Sequence, residues 1–267
     1  MKKVEKALGA IIVIMLIFFT FGVVTDRIEQ WKDKKIFSHR APSGIYDKYL
    51  KRPIDFTLSM IALVMLSPIM LITAIMVKAN LGSPILFKQK RPGLNGELFE
   101  LWKFRTMAEV LDRDGNLLPD SDRLSDFGKK LRSTSIDELP ELFNIIKGEM
   151  AIIGPRPQLI RDMVFMSEEQ RRRHTVRPGL SGLAQVRGRN AISWEQKLNI
   201  DLEYIKKITF LQDVGIVLKT IVKVFKREDI TDSEHATALD YGDYLLSKNM
   251  ISQERYNELQ IYAKSIG

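Results

Sequence analysis

Cysteine is absent from the 267 residues, which excludes disulfides, thiolate zinc sites and thiol nucleophiles together. Histidine is scarce: His39, His174 and His235 fit no metal-ligand spacing, which argues against zinc hydrolysis and His-based nucleophilic triads. Negative charge is the minority sign. Lys+Arg 41 against Asp+Glu 33 leaves a net charge of +8, which favours anionic partners: nucleic acid, anionic lipid or a phosphorylated substrate. The hydropathy decides for membrane lipid and against nucleic acid. The length allows one large domain or two small ones, and one main domain with appendages is expected.

Two long apolar runs are present. Residues 7–24 form a nearly unbroken apolar run of about 18 residues after Lys2, Lys3 and Lys6, close to the lower limit for crossing a hydrocarbon core of roughly 30 Å. A cleaved signal peptide is the rival reading, but no small-x-small cleavage site stands before Asp26, so an uncleaved anchor is preferred. Arg27, Lys32, Lys34, Lys35 and Arg40 outnumber the preceding lysines and place the following residues in the cytoplasm. The second run, 54–77, carries Ser67-Pro68 at its centre. Hydropathy alone favours a simple span. A proline removes one intrahelical hydrogen bond, however, and Ser67 can satisfy the freed carbonyl, so a bent helix that re-emerges on its entry side is the alternative.

The remainder is mixed. Turn residues at Gly82-Ser83-Pro84 and 91–96 flank strands at 85–89 and 98–104, predicting a hairpin. Residues 112–126 read as a loop whose acids do not match EF-hand spacing. Leu142, Phe143, Ile145 and Ile146 give 141–147 a core-facing helical stripe. Gly154-Pro155-Arg156-Pro157 is a rigid turn in which flanking prolines pre-organise Arg156 as an anion contact. Arg171-Arg172-Arg173 reads as a solvated helix face, and the glycines of 177–182 suit close backbone approach to a phosphate, although no Walker or dinucleotide fingerprint is present. Residues 205–227 read as one basic amphipathic helix on a membrane surface. Two short helices, 238–248 and 252–265, close the chain, with Ser252 as the second N-cap.

Adjacent carboxylates at Asp137 and Glu138 are the best chemical clue. Ser135-x-x-Glu138 is also a capping box, complicated by Pro140. Both readings place the acids where free N–H groups and the helix dipole favour negative charge, so they are compatible.

Lys51-Arg52-x-x-Asp55, Ser67-Pro68, Lys103-Phe104-Arg105-Thr106-Met107, 134–140, Gly154-Pro155-Arg156-Pro157 and Pro178-Gly179-Leu180-Ser181-Gly182 occur in an order that resembles the bacterial sugar transferases called monotopic phosphoglycosyl transferases, over about residues 48–227. The resemblance implies an α+β, mostly helical fold with a re-entrant membrane helix broken at Ser67 and Pro68, a small cytoplasmic catalytic domain and amphipathic interfacial helices. It implies an enzyme of the bacterial inner membrane that moves a sugar phosphate from a UDP-sugar to undecaprenyl phosphate and releases UMP. Asp137 is then the nucleophile that forms an aspartyl phosphosugar and a ligand of Mg2+, and Glu138 positions or deprotonates the acceptor. Lys103, Arg105, Arg132 and Arg156 are the expected phosphate partners, with Gln185 and Arg187 on the nucleotide or acceptor side. Lys51 and Arg52 would sit at the lipid headgroups, with Asp55 pairing a nearby cation. The expected organisation is an anchor and linker at 1–47, a catalytic core at 48–227 and a helical tail at 228–267. A membrane-anchored nucleotide-sugar-binding scaffold without turnover is the alternative, and homo-oligomerisation is left open.

Overall fold

The structure, a computed structural model, describes residues 42–267 apart from 114, 116, 117, 189–191 and 227–238. The N-terminal apolar run at 7–24 lies outside the described residues. A π-helical turn, Tyr46–Leu50, leads into helix α1, Lys51–Leu81, about 47 Å long at 1.5 Å per residue. Among the described residues it belongs to the one helical segment long and apolar enough to cross a membrane.

Helix α1 stays helical through Ser67 and Pro68, where the family resemblance implied a break. The physical reason is local. Pro68 cannot donate to the carbonyl four residues back, Val64, and the Ser67 hydroxyl donates to that carbonyl at 2.8 Å instead. Phe56, Ser59, Thr73 and Val77 lie buried on one side, while Leu58, Ile61, Val64, Met65, Ile72 and Ile75 on the other are exposed. The inner side meets the domain in two apolar clusters. Ala62, Leu63 and Leu66 meet Phe99, Leu101, Leu142 and Ile145, and Met70, Ala74 and Val77 meet Phe104 and Leu131.

Strands β1, Leu86–Pro92, and β2, Leu98–Phe104, form the expected antiparallel hairpin. Its first strand runs three residues past the expected end, pairing Leu86 with Phe104 and Pro92 with Leu98. Short helices α2, Asp120–Arg123, and α3, Asp126–Ser133, precede a 3-10 turn at Ile136–Glu138 and helix α4, Glu141–Lys147. Phe143 on α4 departs from the expected core stripe and is exposed, whereas Leu142 and Ile145 are buried.

Strand β3, Ala151–Ile153, pairs in parallel with β4, Gly179–Ser181. A Cβ on Gly179 would lie 2.0 Å from the Gly154 nitrogen. The glycines expected to approach a phosphate therefore serve another end, letting two backbones of the same domain touch. Between these strands lie α5, Ile160–Met163, α6, Glu168–Arg171, and a 3-10 segment, Arg172–Thr175. After β4 come α7, Leu183–Arg187, α8, Trp194–Lys206, and α9, Phe210–Lys226.

The single helix expected over 205–227 is thus two. Residues 207–209 interrupt it because Ile208 turns into the core and its N–H and C=O are both taken by the Ser43 hydroxyl, at 2.8 and 3.1 Å. On helix α9 Ile216 is buried, while Phe210, Leu211, Leu218, Ile221 and Val222 are exposed. The final helices, α10, Tyr241–Ser247, and α11, Gln253–Ile266, follow the expected pattern, with Ser252 capping the second by accepting from the Arg255 N–H at 3.2 Å. They are built into the domain. Tyr241, Leu245 and Ala263 share a buried cluster with Ile160, Val164, Phe165 and Leu198.

Candidate active site

The two acids emerge from a turn whose conformation defeats the capping box. Ser135 adopts a left-handed backbone, φ 55°, and its side chain makes no capping hydrogen bond. Glu138 turns away from it to accept from Lys103 Nζ at 2.6 Å and Arg156 Nη2 at 2.8 Å. Pro140 then stands at the N-cap of α4, where no intrahelical N–H is required of it.

Each cation has a separate source. Lys103 is carried by β2, where it pairs with Phe87, and it also reaches Glu141 at 3.1 Å. Arg156 comes from the rigid turn after β3. Arg132 on α3 donates its Nε to the Thr106 hydroxyl at 3.0 Å and lies close enough to Asp137 to lower its proton affinity. Hairpin, turn and helix therefore converge on one acidic turn.

The carboxylates differ in environment. Asp137 is buried, 8% exposed, and among the described residues no hydrogen bond reaches its carboxylate. Burial first, then the negative charge of Glu138, push its pKa up to about 6 against the opposing fields of Lys103, Arg132 and Arg156. For Glu138, burial works the other way from its partners, and Lys103 with Arg156 wins, holding the carboxyl well below the usual range. Burial raises Glu141 to about 7, with Lys103 opposing and Glu138 adding to the rise. Glu141 is the member of this cluster that sequence reasoning misses. Its signal is present as acids at 137, 138 and 141, a spacing that returns to one helical face, but an acid in the first turn of a helix is also ordinary dipole compensation.

Other expected site residues lie elsewhere. Arg105 is buried and donates to the carbonyls of Leu81 and Ser83, capping the end of α1. Arg187 forks onto Glu203 of α8 at the surface, with one contact of 2.7 Å. Gln185 donates to the Leu180 carbonyl at 3.4 Å. Among the described residues, neither makes a hydrogen bond or ion pair with the acidic turn. Lys51 and Arg52, expected at lipid headgroups, are buried. Lys51 pairs with Asp213 at 2.6 Å and Asp55 at 3.5 Å, and Arg52 donates to the Ile145 and Ile146 carbonyls at 2.7 and 3.0 Å, so both bind the start of α1 to the domain. Arg173, expected to be solvated, is an interior residue whose side chain is 1% exposed and paired with Asp201.

For Mg2+ the donor set fits in one form. No group of three or more His, Asp or Glu among the described residues could cage an ion. Mg2+, though, commonly binds through one or two carboxylates and completes its shell with water and substrate phosphate, and Asp137 offers a carboxylate that no described donor occupies.

The sequence matches the bacterial sugar transferase family over residues 46–227. It is 47% identical over 189 residues to the uncharacterized sugar transferase EpsL of Bacillus subtilis, covering 71% of this chain and 94% of that protein. It is 33% identical over 219 residues to the UDP-glucose:undecaprenyl-phosphate glucose-1-phosphate transferase of Klebsiella pneumoniae, covering 78% of this chain and 47% of that one. To the UDP-N-acetylgalactosamine-undecaprenyl-phosphate N-acetylgalactosaminephosphotransferase of Aeromonas hydrophila it is 39% identical over 191 residues, covering 67% of this chain. The matched region spans less than half the length of these last two relatives, 47% and 44%.

Proposed function

The chain belongs to the bacterial sugar transferase family, and we propose that it transfers a sugar 1-phosphate from a UDP-sugar to undecaprenyl phosphate, through Asp137, in the biosynthesis of a surface glycan. The substrate class rests on the names of relatives such as the Klebsiella and Aeromonas enzymes. The observation that carries the mechanism is the contrast within the acidic turn: Glu138 is held by two cations, while Asp137 is free of hydrogen bonds from described residues and faces three positive charges.

An Asp137 oxygen attacks the β-phosphorus of the UDP-sugar. The bond from that phosphorus to the bridging oxygen breaks, and UMP departs with the bridge oxygen. A phosphate oxygen of the polyprenyl acceptor then attacks the same phosphorus, breaks the bond to Asp137 and restores the carboxylate, giving a polyprenyl diphosphosugar. With a pKa of about 6, Asp137 is largely ionised at neutral pH and more basic than an ordinary carboxylate. Lys103, Arg132 and Arg156 offset the repulsion between this anion and a negatively charged diphosphate. Glu138, held below the usual carboxylate range, is a poor proton acceptor; its work is to hold Lys103 and Arg156 in place. Mg2+ held by Asp137 would neutralise charge on the phosphoryl oxygens.

Two exposed apolar surfaces, on α1 and on α9, support a placement at the membrane. Lys51 and Arg52 tie one end of α1 into the domain, and Arg105 ties the other. Both ends tied to one domain support a helix that keeps its two ends on one side of the bilayer, with its outer face and the exposed side of α9 against the lipid; the domain then faces the cytoplasm in the reading that the family resemblance implies. Such a placement brings Asp137 to the height of a lipid phosphate.

The test is UMP release from a panel of UDP-sugars with undecaprenyl phosphate and Mg2+. Wild type should release UMP and Asp137→Asn should not. Equal release by both would remove Asp137 as the nucleophile, and UDP-sugar binding without release by wild type would favour a scaffold.

A further inference from the structure

We propose that Arg173, Asp201 and Arg91 are positioning residues that aim the Arg156 side chain at the acidic turn. The proposal rests on the functional reading above for its kinetic consequence, but not for its geometry.

Arg173 sits in a run of three arginines, yet its side chain is 1% exposed and that of Asp201 is 5% exposed. Its Nε and Nη2 both donate to one Asp201 oxygen, at 3.0 and 2.7 Å. A buried ion pair of this kind commonly adds no stability over an apolar pair of similar volume. What it does add here is a third bond: Arg173 Nη2 also donates to the Arg156 carbonyl at 2.6 Å. The next carbonyl is gripped from the other side. Arg91, on β1, donates Nη1 to the Pro157 carbonyl at 3.2 Å while its Nη2 is steadied by Gln89 Oε1 at 2.7 Å.

Pro155 and Pro157 restrict the backbone on both sides of Arg156. With successive carbonyls pinned by a 3-10 segment and a hairpin strand, the backbone of residue 156 has one orientation, and its side chain leaves the turn toward Glu138 at 2.8 Å. The Arg156 side chain is 43% exposed, so neighbouring packing alone does not confine it. Glu138 holds the end of the side chain, and the backbone pins fix the point and direction from which it leaves the turn, as support residues must where a reacting geometry tolerates errors of only about half an ångström.

The decisive variant replaces both buried partners by apolar residues, Arg173→Met with Asp201→Leu, which keeps the volume and leaves no unpaired charge. Its melting temperature should stay close to wild type, while kcat/KM for UMP release falls on the order of 10- to 100-fold. Introduced into an Arg156→Lys background, the same pair should cost much less, because its effect is exerted through Arg156. A second measurement needs no activity: the 15Nε resonance of Arg156, identified by its loss in Arg156→Lys, should shift or broaden in the apolar variant. An unchanged resonance, or an equal loss in both backgrounds, overturns the proposal. Should the apolar pair fail to fold, Arg91→Met is read by the same two measurements. Failure of the functional reading is separate, since it shows as Asp137→Asn retaining activity while the resonance still responds.

Discussion

Glu141→Gln gives a sharp stability test of the acidic cluster. Glu141 is 3% exposed, and Lys103 must serve it and Glu138 at once. Burial and the Glu138 charge raise its pKa from 4.5 to about 7 in the folded protein. The folded state therefore binds the proton more tightly than the unfolded state across that window. Stability contributed by the protonated group is fully present below about pH 4.5 and is lost as pH rises toward 7. At about 1.4 kcal/mol per unit, the loss is roughly 3 kcal/mol. Glu138 titrates below this window, because its pKa is depressed, so it does not mask the effect. Denaturant unfolding in detergent from pH 4 to 8, with chelator present, should show Glu141→Gln gaining on wild type by roughly 3 kcal/mol between pH 4.5 and pH 7. Parallel stability curves for the two proteins would show that Glu141 is not desolvated as its burial implies.

Two further substitutions probe how the domain holds α1 and its final helices. Lys51→Met leaves Asp213 and Asp55 without their ammonium partner and should cost about 3–5 kcal/mol, the range for breaking a buried pair; a change under 1 kcal/mol in denaturant unfolding would mean that the hydroxyls of Tyr46 and Tyr204, which donate to Asp213 at 2.8 and 2.9 Å, suffice for it. Leu245→Ala opens the cluster in which the last helices meet α5 and α8. It should cost about 2–5 kcal/mol, and a wild-type unfolding midpoint would show that the final helices are energetically separate from the domain.

Much of this protein is legible in its amino-acid order. The hairpin, α4 and the final helix pair follow from turn residues and apolar spacing, because local backbone preferences dominate short elements. The apolar segment at 54–77, the anionic preference and the adjacent acids at 137 and 138 are likewise properties of neighbouring residues. Burial is not legible there, because it depends on what arrives from elsewhere in the chain. Arg173 in a basic run reads as solvated until Asp201 comes from α8 to meet it, and Arg105 reads as a phosphate contact until the end of α1 presents its carbonyls.

The site shows the same division. Sequence alone determined which groups can carry charge: a pair of adjacent acids, a lysine in one strand and an arginine in a proline-bound turn. Only the tertiary structure decided how that charge is distributed. It gave Lys103 and Arg156 to Glu138, left Asp137 without a hydrogen-bonded partner among the described residues, and brought in Glu141. The reason is physical: a carboxylate's proton affinity is set by desolvation and by charges within a few ångströms, and both are fixed by packing between segments distant in the chain.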